Sequence, residues 1–294
     1  MTFARPDHTS YLDTFPRMPT WVTSARAETF EDVAFLSGAA LNHLHVVLGR
    51  VEVPQALLRD RRALRAAEAC VAFSGRSERA GELRDAVHLL RPGDLPGPAG
   101  ETCLALRRSV ERPLSIKALG RALPTLAPGQ IATWLDAGQG APVGRAAMVL
   151  EAVLTEAPRA DVAALILADA ALAQAFGWDH VVPLLAAGLK RADLRKQGDD
   201  LRLACHRALV SSAVEAVRLA ADLTRRAAHL KAVAPKLRAK GAEKAVEMFL
   251  TRDAVASSAL PLPDRAARRL CHRLVDLGAV RELTGRDTFR LYGV

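Results

Sequence analysis

Residues 162–176 read VAALILADAALAQAF. Wound at about 3.6 residues per turn, this stretch is apolar on every side but for Asp169 and, near its end, Gln174. A helix with no polar face has to be enclosed by other helices, so the chain must build a multi-helix body around it. The material for that body is present. Half of the 294 residues are hydrophobic and only 4% are aromatic, so the core is mainly Leu, Ala and Val. Leu and Ala are strong helix formers.

Apolar spacing predicts helices over about 29–48, 54–73, 77–90, 101–110, 115–122, 129–137, 144–156, 160–176, 179–188 and 200–232. Thr29 and Asp32 have the spacing of a capping pair at the first of these. Pro113, Pro124, Pro128, Gly138, Gly140 and Pro142 mark breaks. RPGDLPGPAG at 91–100 reads as a rigid loop and RADLRKQGDD at 191–200 as a surface loop. Residues 1–27 carry Pro6, Pro16 and Pro19 with little periodicity and read as an extended arm. Residues 28–234 read as an all-α domain without a short-period repeat.

The pattern changes at Pro235. Helices are expected at about 242–250, 253–259 and 264–277, with Pro261 and Pro263 making the turn before the third. Short strands at 279–283 and 288–292 flank Gly285 as a hairpin. This order is the layout of a winged helix-turn-helix over 235–294. The expected fold class is therefore mainly α: a multi-helix domain followed by a C-terminal winged helix-turn-helix with a small β-hairpin wing.

The charge is concentrated in the same region. The chain carries 41 Lys and Arg against 32 Asp and Glu, a net of +9. From Arg225 onward there are fifteen basic and seven acidic residues, so almost all of the excess lies in the final quarter. A local basic field attracts polyanions. Ala267, Leu270, Leu274 and Leu277 recur on the inward face of the third helix, leaving Arg265, Arg268, Arg269 and Arg273 on other faces. Those four, with Arg286 and Arg290 on the wing, are the candidate contacts to double-stranded DNA. The expected function is a DNA-binding protein of the transcriptional-regulator kind. The competing expectation is an interaction scaffold whose C-terminal module meets a protein partner or a second copy in a homodimer.

No chemistry is legible elsewhere. The phosphate-loop, dinucleotide, nucleophile-elbow and zinc-protease motifs do not occur. His43 and His45 are two apart on a helix and point apart. Cys205-His206 and Cys271-His272 read as core cysteines beside surface histidines. Glu151 and Glu156, with Arg145 and Arg159, read as an exposed ion-paired face, and Trp134 and Trp178 as packing anchors. No catalytic, cofactor or metal residue is nominated, and an enzyme is not expected. Four widely spaced cysteines fit free thiols in a reducing cytoplasm. No secretory signal and no membrane span is read.

LRDAVHLLRPGDLPGPAG at 83–100, Gly177-Trp178-Asp179, APKLRAKGA at 234–242 and DRAARRLCHRLVDLGAVRELTGRDTFRLYG at 264–293 resemble an uncharacterised bacterial family, domain of unknown function 1403. That resemblance implies no activity. The helix order is also similar to Fic-family proteins, many of which end in a winged helix. Glu68 to Gly75 (EACVAFSG) would stand for their inhibitory helix, with Ser74 in place of the inhibitory Glu. Thr155 to Asp161 would stand for their catalytic loop, but it has neither His nor Gly-Asn-Gly. The Fic resemblance thus implies a degenerate scaffold without nucleotidyl transfer.

Overall fold

A computed structural model describes residues 15–24, 27–91, 93–237 and 240–294. Most of the expected arm at 1–27, and part of the basic linker 235–241, lie outside the described residues. The helices are α1 (Thr20–Ser24), α2 (Phe30–Leu48), α3 (Gln55–Phe73), α4 (Ala80–His88), α5 (Gly97–Glu111), α6 (Ile116–Ala122) and α7 (Pro128–Asp136). They continue with α8 (Pro142–Glu156), α9 (Asp161–Phe176), α10 (Leu185–Gly188), α11 (Gly198–Val233), α12 (Ala242–Thr251) and α13 (Asp264–Asp276). Three short strands, β1 (Val255–Ala256), β2 (Arg281–Glu282) and β3 (Leu291–Gly293), complete the chain. The fold is mainly helical with one small sheet near its C-terminal end.

α9 is the centre that its sequence demands. Every residue from Ala163 to Ala173 is buried. α8 packs along it, α11 lies across α8, α10, α2 and α3, and α3 in turn packs on α5 and α12. Gly177 takes the left-handed conformation that ends α9 (φ +64°), as glycine does without a steric cost. At the start of α2, the Thr29 hydroxyl accepts from the Asp32 amide at 3.1 Å and the Asp32 carboxylate accepts from the Thr29 amide at 3.0 Å. This is the reciprocal cap that the spacing implied.

Three departures from the sequence reading have physical causes. The helix expected at 179–188 forms only at α10. Buried side chains hold the preceding backbone in an irregular path. Asp169 accepts from the Leu184 and Leu185 amides (3.1 and 3.2 Å), Arg62 Nε donates to the Pro183 carbonyl (3.1 Å), and Ser212 Oγ donates to the Leu184 carbonyl (2.7 Å). Backbone groups satisfied this way have no need of a helical ladder. Gly188 then passes so near α11 that a Cβ there would lie 2.3 Å from the Ala208 carbonyl oxygen.

The second departure is at 91–100, where α5 already begins at Gly97 and absorbs the end of the expected loop. The third is at 253–259. No α-helix forms there; the chain makes β1 and one 3-10 turn, Ser257–Ala259.

Several side chains singled out from the sequence have local structural roles. The Glu151 carboxylate accepts from the Gly198 amide at the head of α11 (3.1 and 3.2 Å). The Glu156 carboxylate accepts from Trp134 Nε1 at 2.8 Å, and Arg145 Nε donates to the Gly140 carbonyl at 3.1 Å. The expected ion-paired face is therefore replaced by a helix cap and a tryptophan acceptor. His43 meets the Pro16 carbonyl and His45 accepts from Trp178 Nε1 at 2.9 Å, so the two diverge. His206 is buried, against expectation, with Nδ1 2.6 Å from Ser37 Oγ and its ring edge-on to Phe30.

All four cysteines are unpaired and buried. Burial pushes the thiols of Cys70, Cys205 and Cys271 up to about 12 and that of Cys103 up to about 11. The thiolate is the reactive form. A disulfide-exchange reagent should therefore label none of them in the native protein near neutral pH and all four after denaturation; fast native labelling would contradict this burial.

Candidate nucleic-acid interface

Among the described helices of three turns or so and longer, α13 is the most strongly two-sided. Ala267, Leu270, Cys271 and Leu274 are buried at i, i+3, i+4 and i+7. Arg265, Arg268, Arg269, His272 and Arg273 are all exposed. Their spacing repeats the same period, so they share one outward face. Pro263 precedes the helix and fixes its start. At its end the Gly278 amide donates to the Val275 carbonyl (2.8 Å) and the Ala279 amide to the Leu274 carbonyl (2.9 Å), with Gly278 at φ +64°. That double bond around a left-handed glycine stops the helix and turns the chain into β2.

The only carboxylate within 4 Å of this face among the described residues is Asp264, 3.8 Å from Arg268. Both partners are widely exposed, and such pairs contribute little. The four arginines of α13 therefore keep their positive field toward solvent.

β3 is the middle strand of the sheet, antiparallel to both neighbours. Val255 lies opposite Tyr292, and Arg281 opposite Gly293. The Leu283 amide donates to the Leu291 carbonyl at 2.8 Å and extends the β2–β3 pair. The hairpin expected from 279–283 and 288–292 is present but shorter, with its pairing shifted toward the chain end. Its loop, 284–290, turns at Gly285 (φ +60°) and Phe289 (φ +54°).

The two hairpin arginines do not join the α13 face. Arg286 Nη2 lies 2.6 Å from Asp85 on α4. Arg290 donates to the Arg286 carbonyl at 2.8 Å and pairs with Glu282 (3.4 Å) and Asp287 (3.7 Å). Of the six nominated residues, the structure groups four and ties the other two to carboxylates.

The C-terminal segment is docked on the helical body by a polar latch that the sequence did not reveal. Asp253, 5% exposed, accepts hydrogen bonds from Arg84 on α4 and forms an ion pair with Arg61 on α3. Its amide donates to Asp60 Oδ2 at 2.8 Å, and Asp60 Oδ1 accepts from Arg107 at 3.0 Å. Burial alone would raise the Asp253 pKa; the Arg84 hydrogen bonds and the fields of Arg61, Arg84 and Arg107 outweigh it and hold the carboxyl below its usual range. Further along, His229 of α11 lies 3.0 Å from the Leu277 carbonyl at the end of α13.

A second feature is a groove of about 1200 Å³ on the helical body. It brings Cys70 and Ser74 beside Ala157, Arg159 and Asp161. Among the described residues no histidine lines it, and Pro158 in its wall has no amide to offer a phosphate. No group of described residues has the composition to hold a metal ion, and no described helix is long and apolar enough to cross a membrane.

A family model described as "Protein of unknown function (DUF1403)" matches residues 6–294. The chain belongs to that family. Comparison with curated proteins gave no match. The family assignment covers the helical body and the C-terminal segment together, so the latch and the arginine face both lie within it.

Proposed function

We propose that residues 235–294 are a winged helix-turn-helix module that binds duplex DNA, with α13 entering the major groove. The carrying observation is that Arg265, Arg268, Arg269 and Arg273 project together from a helix whose opposite side is buried. Further support comes from the order of elements: α12, β1, a single helical turn, α13, then β2 and β3, with β3 between its two partners. On this reading the second helix of the motif is reduced to Ser257–Ala259. Arg265, Arg268 and Arg269, in the N-terminal half of α13, approach base edges and phosphates, and Arg273 reaches a phosphate. Arg286 and Arg290 assist from the wing only by leaving Asp85 and Glu282.

The test is a fluorescence-anisotropy titration of the full chain with random-sequence duplex over a range of salt. The intact chain is the appropriate reagent because Asp253 and the buried residues of α12 share the core and latch of the body. Wild-type protein should bind with an affinity that falls steeply with salt. Arg268→Ala with Arg269→Ala should weaken binding by more than about tenfold and flatten the salt slope by about 1 for each lost phosphate contact. Their wide exposure leaves the fold untouched. Unchanged binding in the double variant, or no duplex binding by the wild type, would direct attention to a protein partner on the same face.

A further inference from the structure

Between α3, α5 and the end of α12 lies a concavity of about 390 Å³ whose lining includes Arg59, Arg107, Arg108 and Arg252. Two carboxylates, Asp60 and Glu111, share it. Both Asp60 oxygens are occupied, one by Arg107 and one by the Asp253 amide. Among the described residues no carboxylate lies within 4.0 Å of Arg59, Arg108 or Arg252. Arg59 is partly withdrawn from water, with Nε donating only to the Val110 carbonyl at 3.3 Å. Burial pulls its pKa down and the field of Asp179 offsets this in part. A half-buried guanidinium without a contacting counter-ion is unfavourable, and here three more guanidiniums converge on the same space.

We propose that this concavity is a binding site for a small phosphorylated compound carrying at least two negative charges. Guanidinium forks match phosphate oxygens in shape as well as charge. The volume is within the usual range for small-molecule sites and larger than a bare phosphate needs. Ala56, Leu104 and Val110 supply an apolar wall for the organic part. The site joins two parts of the molecule. Arg59, Arg107 and Arg108 come from the helical body, while Thr251 and Arg252 come from the segment that carries α13. Arg107 is also the outer member of the chain that runs through Asp60 to Asp253. Occupancy therefore strengthens the docking of the arginine-bearing segment, and through it can regulate what that segment binds. The site itself does not depend on α13 meeting DNA.

The experiment is isothermal titration of the full chain with pyrophosphate at near-physiological salt, with sodium sulfate at matched ionic strength as control. One saturable site is expected. Arg252→Gln, at an exposed and unpaired position, should weaken it at least several-fold with the fold intact, and Arg59→Gln should weaken it further. Arg268→Ala with Arg269→Ala should leave it unchanged, which separates this site from the DNA reading. Absence of saturable binding, equal binding by sulfate, or binding that survives both pocket variants would overturn the proposal. Displacement of pyrophosphate by duplex DNA with wild-type strength, lost in the α13 variant, would assign the phosphates to nucleic acid and overturn it equally.

Discussion

Asp253→Ala should lower the stability of the protein by about 3–5 kcal/mol, the range for removing one partner from a buried charged pair. The carboxylate is buried, accepts from Arg84 and is ion-paired with Arg61. Alanine would leave two guanidiniums facing each other with nothing between them. Urea denaturation followed by far-ultraviolet circular dichroism measures the loss, and a change within about 0.5 kcal/mol, typical of a surface substitution, would show that the latch holds nothing. Double replacement of Arg61 and Arg84 by leucine in the Asp253→Ala background should recover part of the loss, since an apolar cluster needs no counter-charge. The pH dependence has a definite sign. The folded-state pKa of Asp253 is depressed, so its contribution is present above the ordinary carboxylate value of about 4 and is lost as pH falls through the folded value.

Asp169→Ala should be comparably damaging for a different reason. The Leu184 and Leu185 amides would be left buried without an acceptor. At about 1–3 kcal/mol for each unsatisfied group, the loss is about 2–6 kcal/mol by the same denaturation measurement. Asp169→Asn keeps an acceptor for one amide and should cost less. Here the pH sign is opposite. Burial pushes Asp169 up to about 7, against the two amides and Arg62. Its contribution is thus complete below about pH 4 and lost as pH rises through about 7. Burial depresses the pKa values of His88, His180 and His206, whose contributions slope the other way, so the Asp169 contribution is read from the difference between wild type and variant. Relative to wild type, Asp169→Asn should lose less stability between about pH 4 and 7 and leave the acid limb, to which Asp253 contributes, in place; an unaltered profile would mean that Asp169 does not titrate in this range.

What could be read from the sequence was the local and periodic part. α9 was legible because between its first residue and Gln174 no polar residue but Asp169 interrupts it, and the outward arginines of α13 because they alternate with Ala267, Leu270 and Leu274 at helical spacing. β1 was not, since two residues carry no period and their partner in β3 lies far along the chain. The same holds for the hairpin loop: nothing near Arg286 in sequence points to Asp85, 201 positions away. The latch and the four-arginine concavity are also assembled by long-range packing of α3, α4 and α5 against the end of α12. The irregular run before α10 was hidden because its bonding partners sit on three other helices.

α11 has a mechanical consequence. It runs for 36 residues with no proline, and its single glycine stands at the first position. That gives a stiff rod about 54 Å long. Glu151 grips one tip and the Leu277 carbonyl meets His229 near the other. A strut of this kind ties α8, which packs against it, to the turn that follows the arginine-bearing helix.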